Sequence, residues 1–277
     1  MTTSGTGDGG SAAPFDYESK VWGESEVSLR PTSLGALRLR YCLEDLEAAR
    51  GLLIELGCGA GGFARAIAHH RPDLTVVGVD ISARALATAR GARGGPRYAR
   101  GDVEAVPLRS GSVDAVMFFD VLEHVDRPGL LLAEAVRVLR GGGLLHAFVP
   151  CEGSAYTLHG IASRLGYSPK ERYAGHIQRL SASELRRMLV ATGFVVERWR
   201  WSGHLLLQAV DLAYFTLLAA RGRNVDTTIE GLAARSDGPG AALLRLAVWS
   251  VAAASYAESR LLRAVPASGV HVTCRRP

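Results

Sequence analysis

One glycine-rich turn, in the segment Leu52-Leu-Ile-Glu-Leu-Gly-Cys-Gly-Ala-Gly-Gly62, restricts this chain more than any other stretch. The apolar run Leu52–Leu56 reads as a buried strand, and a helical pattern runs from Gly62 to His70 directly after the glycines. A strand that ends in a tight turn and feeds a helix at once is the opening unit of an α/β fold. Glycines there tolerate positive φ and let a ligand come close to the backbone. The helix beyond them presents unpaired N–H groups and a positive dipole end, which suit a carboxylate or a phosphate.

The rest of the first half repeats this alternation. Leu74–Val79, Val113–Phe119 and Leu144–Val149 read as buried strands, with a weaker one at Arg97–Ala99. Between them, Ser82–Arg90 is a helix with Ser82 as N-cap, and Pro128–Arg140 is a helix with proline early and Gly141 just past its end. Strand and helix in alternation predict a parallel sheet covered on both faces, with right-handed crossovers. After residue 150 the pattern changes. Residues 150–180 read as a polar loop carrying Tyr156, Tyr167 and Tyr173. Ser181–Ala191 is a helix opened by a capping box of Ser181 and Glu184. Phe194–Trp201 reads as a strand, His204–Ala220 and Gly240–Val265 as helices joined by a polar turn from Arg221 to Pro239, and Val270–Cys274 as a last strand.

Composition narrows the partners. The net charge is +5, but the only lysines are Lys20 and Lys170, and the arginines are scattered without a basic run, so no nucleic-acid groove is expected. Cys42, Cys58, Cys151 and Cys274 show no C-x-x-C spacing and no accompanying histidine cluster. Neither a disulfide framework nor a metal site is expected, and scattered thiols fit the cytoplasm. Residues 1–14 are rich in Gly, Ser and Thr without an apolar core, so they read as a disordered leader, not a signal peptide. Phe15–Arg30, with Phe15, Tyr17, Lys20 and Trp22, reads equally as a lid over a ligand or as a packed first helix. Gln208 and Asp211 interrupt the first late helix, which falls short of the roughly 20 apolar residues of a membrane span. Arg245, Glu258, Arg260 and Arg263 interrupt the second. Packing against the main domain is expected of both. Peripheral membrane contact through 204–265, or closure over an apolar substrate, is the sharper alternative.

The glycine turn by itself leaves two ligands open. Gly57, Gly59 and Gly62 satisfy G-x-G-x-x-G, the dinucleotide form, and Gly57, Gly59 and Gly61 satisfy G-x-G-x-G, the methyltransferase form. Glu55, two residues ahead of the first glycine, suits the ammonium of a methionine moiety and would repel a pyrophosphate. Asp80 closes the second strand in Val76-Val-Gly-Val-Asp-Ile-Ser82, where an acid accepts from ribose hydroxyls in either case. Asp102 follows the weak third strand and could accept the adenine amino group, although Gly101-Asp102 is also ordinary turn chemistry.

On these residues, together with Gly101-Asp-Val-Glu104, Phe118-Phe-Asp-Val-Leu-Glu-His-Val125 and Val138-Leu-Arg-Gly-Gly-Gly143, the stretch from 50 to 150 resembles the class I S-adenosylmethionine-dependent methyltransferases. It is similar above all to the branch of ubiquinone, menaquinone and natural-product small-molecule methyltransferases. The resemblance implies a Rossmann-like, seven-stranded, mostly parallel sheet of order 3-2-1-4-5-7-6; an N-terminal helical cover is expected beside it, and the chain departs from the family pattern in a helical insertion before the last strand, where a simple member has a short turn. One methyltransferase domain is expected over 15–277, with a core of 50–202, a last strand at 268–277 and, between them, the insertion at 203–265. The resemblance places Gly57, Gly59 and Gly61 along the cofactor S-adenosyl-L-methionine, Asp80 on the ribose, and Ile81 against the adenine. Asp102 and Val103 would meet the adenine edge, and Phe119 and Asp120 the methionine and the reacting methyl.

Methyl transfer to a hydroxyl needs a group that deals with the acceptor's proton. Histidine is the natural candidate near neutral pH. His124 follows strand four, and His176 follows strand five in Gly175-His-Ile-Gln-Arg-Leu-Ser181. Local anchoring is the competing role for both, and it weighs more for His124. His69, His70, His146, His159, His204 and His271 read as surface or structural. The expected activity is methylation of a small apolar or aromatic acceptor, at oxygen ahead of nitrogen or carbon. The alternatives are a lipid or quinone methyltransferase at a membrane surface, a nicotinamide-dependent oxidoreductase, and a non-catalytic cofactor-binding module.

Overall fold

The computed structural model describes residues 18, 21, 26–92, 95–167, 175–220, 231, 233 and 236–277. The expectations for residues 1–14, for Phe15, Tyr17, Lys20 and Trp22, for Tyr173, and for most of the turn after Arg221 lie outside the described residues.

The chain opens with helix α1 (Ala36–Asp45), then alternates β1 (Gly51–Leu56), α2 (Gly62–His70), β2 (Leu74–Asp80), α3 (Ala83–Gly91) and β3 (Arg97–Arg100). After it come β4 (Val113–Phe119), a single 3-10 turn (Leu122–His124), α4 (Pro128–Val138), β5 (Leu139–Pro150), α5 (Leu158–Arg164), α6 (Ala182–Ala191) and β6 (Val195–Ser202). Helices α7 (Leu205–Ala220) and α8 (Ala241–Leu261) precede β7 (Gly269–Arg275). The strands form one seven-stranded sheet in the order β3-β2-β1-β4-β5-β7-β6. All pairs are parallel except those of β7, which runs antiparallel to β5 and β6. This is the Rossmann-like arrangement expected from the sequence.

Local chemistry accounts for the helix starts. Ser82 accepts from Ala85 N at the head of α3. At α6 both bonds of the capping box are made, Glu184 N to Ser181 Oγ and Ser181 N to Glu184 Oε2. Several elements differ from the expectation; helix α8, expected to reach Val265, ends at Leu261. Helix α4 stops at Val138 instead of continuing to Arg140, because Leu139 is already extended and pairs with Val113, so β5 begins before the three glycines. The loop expected over 150–180 contains α5, whose cap is Thr157 accepting from Gly160 N. A seven-residue helix is too short to show a hydrophobic period.

Two apolar layers sandwich the sheet. One joins Ile54, Val116 and Phe118 to Leu131 and Leu132 of α4 and Leu185 and Leu189 of α6. The other joins Leu53, Ala115 and Met117 to Leu39 and Cys42 of α1 and Ile67 of α2. Helix α7 packs against α5 and α8. The two polar residues that interrupt its apolar run make its ties: Gln208 accepts from Leu158 N at 2.8 Å and donates to Gly203 O at 2.8 Å, and Asp211 meets His159 at 2.8 Å. Among the described residues, no helix is long and apolar enough to cross a membrane.

The last residue of α1 fixes that helix to three strands. Asp45 is buried and accepts from His146 Nδ1 of β5 at 2.8 Å, from Arg198 Nη1 of β6 at 2.9 Å, from Arg200, and from Thr273 of β7. Burial alone would raise its pKa, but the His146 and Thr273 hydrogen bonds and the nearby charges hold it at about 2. Removing one partner of a buried charged network typically costs about 3–5 kcal/mol, and Asp45→Ala is expected to lose that much in urea unfolding at neutral pH. Because the folded pKa is depressed, the gap between wild type and variant should be full above the unfolded value of about 3.9. It should close as the pH falls through about 2.

Candidate active site

The loop between β1 and α2 runs through Gly57, Gly59 and Gly61, at φ 68°, 50° and 76°. It is clamped to the neighbouring strand by Gly57 N and Cys58 N, which both donate to Val79 O, at 2.8 and 3.1 Å. At Gly61 the left-handed φ and the crowding agree in requiring glycine, since an added Cβ would lie 2.5 Å from the Tyr98 hydroxyl. Strand order reverses between β1 and β4, and in open α/β sheets ligands bind in the crevice at that point, beyond the carboxyl ends of the strands.

Glu55 stands on β1 below this crevice, 3% exposed. Burial pushes its carboxyl well above the usual range, against a backbone hydrogen bond from Ala64. Its Oε2 has no hydrogen-bond partner. A buried carboxylate oxygen left without a partner is costly, and a ligand's ammonium group would satisfy it. Asp80, at the end of β2, holds the loop to the next helix: Oδ2 accepts from Gly59 N at 2.7 Å and Oδ1 from Ser82 N at 2.9 Å. The orphaned Glu55 oxygen and the three left-handed glycines fit the amino-acid end of S-adenosylmethionine. Beside Asp80, Ile81 is 47% exposed, an apolar surface open to an adenine ring.

The other residues expected to touch the cofactor are less uniform in placement. Asp102 is exposed, and its Oδ1 accepts from Glu104 N at 2.8 Å, so the turn role is present. Val103 is half-buried against the core. Phe119 turns its ring into the sheet layer, stacked on Phe63 of α2 at 4.1 Å, and so lies beneath the loop. Asp120 is the sole described non-glycine residue at positive φ, 52°. Its Oδ1 accepts from Arg38 Nη2 of α1 at 3.2 Å. A strained backbone at a strand's carboxyl end belongs to functional positions more often than to packing.

The fold brings the two candidate histidines together. The rings of His124, after β4, and His176, after β5, meet edge to face with centroids 5.0 Å apart. His124 Nδ1 donates to Gly175 O at 2.9 Å, and burial, followed by the neighbouring His176, lowers its pKa to about 4. His176 Nδ1 meets Glu152 Oε2 at 3.1 Å. Glu123, in the 3-10 turn, is fully buried with neither carboxylate oxygen partnered. Its carboxyl is pushed well above the ordinary range by burial, and then by Asp120. Of the remaining histidines, His146, His159, His204 and His271 are buried in structural contacts and His69 and His70 lie exposed on α2, as expected.

Sequence reasoning missed four residues near the crevice. Glu123 was inside the quoted motif and Glu152 follows β5 at the strand's carboxyl end, so both carried a positional signal. Arg38 carried none. Nor did Glu18, which reaches from the N-terminal segment to the head of α3, accepting from Ala83 N at 2.8 Å and Arg84 N at 3.1 Å beside Ile81.

The family model for the methyltransferase domain matches residues 54–147. An uncharacterized methyltransferase of Mycobacterium sp. strain JLS is 30% identical over 171 residues, covering 54% of this chain and 67% of the relative. The chain belongs to the class I S-adenosylmethionine-dependent methyltransferases. A probable S-adenosylmethionine-dependent methyltransferase of Mycobacterium tuberculosis strain H37Rv is 32% identical over 146 residues, covering 52% of this chain and 48% of that protein. Among solved structures, geranyl diphosphate methyltransferase in complex with S-adenosylmethionine superimposes with a TM-score of 0.52 at 19% identity, over 87% of this chain and 84% of that one. The cyclase SpnF does so with a TM-score of 0.56 at 22% identity, over 87% and 81%. These two share the fold. For this methyltransferase the cofactor is S-adenosylmethionine, and the dinucleotide reading of the glycine turn gives way.

Calorimetric titration should therefore show binding of S-adenosylmethionine and S-adenosylhomocysteine and none of NAD. A hydrogen bond to a charged group contributes about 1.5–3 kcal/mol, so Asp80→Ala should weaken both adenosyl ligands roughly 10- to 100-fold. Unchanged affinity would remove Asp80 from the cofactor site.

Proposed function

We propose that this methyltransferase methylates a hydroxyl of a small apolar or aromatic metabolite, and that His124 and His176 ready the acceptor oxygen. The observation that carries the reading is the meeting of these two rings in the loops that follow β4 and β5, with His176 backed by Glu152. S-adenosylmethionine supplies a methyl already activated by its sulfonium. The acceptor oxygen attacks that carbon, the carbon–sulfur bond breaks with its electron pair going to sulfur, and the hydroxyl proton must be drawn off. The chain's task is to place the oxygen in line, at about 3–3.5 Å, in a site closed to water. Glu55, the glycine turn, Asp80, Ile81, Asp102, Val103, Phe119 and Asp120 are assigned to the cofactor side, and the histidine pair to the acceptor side.

Residues 203–265 are proposed as an insertion that shapes the acceptor pocket. Its helix α7 reaches that side through Asp211, which bonds His159, and both lie in one cluster with Glu152. The natural-product or quinone branch and a cytoplasmic location belong to the same reading, supported by the apolar insertion and by four free, buried cysteines. With methyl-tritiated S-adenosylmethionine and a panel of hydroxyl, amine and carbon acceptors, His176→Ala and His124→Ala should each lower kcat for the hydroxyl acceptors by about 10²- to 10⁴-fold, with S-adenosylmethionine affinity unchanged. Transfer confined to nitrogen or carbon acceptors would exclude the reading.

A second reading has its own observation. On α8, Leu243, Leu246 and Trp249 are exposed at helical spacing, and Leu217 is exposed on α7. Such a face suits a lipid surface. The protein should then co-sediment with anionic liposomes, and Leu246→Glu with Trp249→Glu should abolish this; retention in the supernatant would leave the acceptor a freely diffusing molecule.

A further inference from the structure

We propose that Glu123, His124 and His176 bind one divalent transition-metal cation at the mouth of the crevice, where it takes the acceptor oxygen as a further ligand. This deepens the O-methylation reading above and rests on it for the acceptor. The observations behind the cation site itself are independent of it.

One ligand atom from each of the three residues falls within 4.8 Å of the other two, a spacing that a single ion can bridge. The histidine tautomers are set for ligation. A carbonyl oxygen only accepts, so the contact of His124 Nδ1 with Gly175 O places the proton on Nδ1 and directs Nε2 toward Glu123, 3.9 Å away. The contact of His176 Nδ1 with the Glu152 carboxylate places the proton of the second ring on Nδ1 as well, which leaves Nε2 as its ligating nitrogen. A carbonyl or carboxylate holding the far nitrogen of a histidine is the outer-shell pattern of metal-bound imidazole.

Glu123 makes the strongest argument. It is 0% exposed, and both its carboxylate oxygens lack a hydrogen-bond partner. Ionised, it is a buried charge without a well-formed hydrogen bond; protonated, it is a buried hydroxyl without an acceptor; either is costly. Asp120 and Glu152 add negative charge around it, and Arg38 is the positive group that opposes them. A dication between Glu123 and the two imidazoles satisfies the carboxylate and offsets the excess.

Two imidazole nitrogens and one carboxylate suit ions such as Fe2+, Co2+, Ni2+ or Zn2+ and leave positions open. Calcium and magnesium prefer all-oxygen shells. A cation that takes the acceptor hydroxyl would lower its pKa, so that the proton is lost to bulk water as the acceptor enters, before the site closes, and the oxygen is ready to attack. The site has no linear signature, because its histidines lie in separate loops brought together by the adjacency of β4 and β5.

The test uses the full chain without an affinity tag, dialysed against a chelator and titrated with Co2+ under visible absorption. Ligand-field bands should saturate at a single equivalent, disappear in His176→Ala and Glu123→Gln, and need about 10- to 100-fold more Co2+ in Glu152→Gln, whose side chain holds His176 from the outer shell. Calorimetric binding of S-adenosylhomocysteine reports that each variant is folded; should Glu123→Gln fail it, the His176 and Glu152 variants decide. Absence of bands in the wild type, or equal Co2+ affinity in folded His176→Ala, overturns the cation site. Undiminished methyl transfer to oxygen by chelated protein also overturns it while leaving O-methylation standing. Bands that follow the variants as expected, in a protein that methylates no hydroxyl, uphold the cation site and remove the acceptor reading alone.

Discussion

The left-handed glycine turn at the end of β1 is the constraint on which the other parts of the site depend. It lets the chain reverse within a few residues and start α2 with its N–H groups facing the crevice. Two backbone N–H groups of the turn bond Val79 O, and a third bonds the Asp80 carboxylate, so the turn is part of the β1–β2 pair. Asp80 in turn holds Ser82 at the head of α3. A side chain on Gly61 would meet Tyr98 and could not keep the backbone there without strain. Loop, acid and two helix starts are therefore tied into one hydrogen-bonded unit, and a site ordered before the ligand arrives lets binding energy go into the transition state instead of into ordering.

The side proposed for the acceptor is built by different means. Asp45 anchors α1 to β5, β6 and β7, and one helical stretch earlier Arg38 reaches Asp120 while its guanidinium lies 4.1 Å over the Phe148 ring. The helix fixed by the buried network thus also fixes the strained end of β4. Helix α7 ties into the same side through Gln208 and Asp211. Three carboxylates and two histidines gather there with little opposing charge. Such a cluster is expensive for folding and is expected where chemistry, not stability, is served.

The strands and the glycine loop were legible in the sequence because each rests on local signals: apolar runs, glycine spacing and the acids that follow a strand; the strand order came through the family resemblance, since adjacency in a sheet has no local signal. The capping box of α6 was equally readable, since Ser181 and Glu184 lie a turn apart. The early end of α4 was not, because the pairing of Leu139 with Val113 overrides the stop signal at Gly141. Helix α5 was missed because seven residues hold no period. His124 and His176 were each picked out singly, from their places after β4 and β5, but their contact depends on strand adjacency and could not be read linearly. Glu123 stood in a motif that had already been read for other residues; its meaning came from burial without a partner.

The most direct test of the account is a crystal structure with S-adenosylhomocysteine bound. The account predicts the ribose hydroxyls on Asp80, the amino-acid end against the β1–α2 turn above Glu55, and the sulfur opening toward His124 and His176. A ligand lodged away from Asp80, or one whose sulfur faces away from the histidine pair, would contradict it.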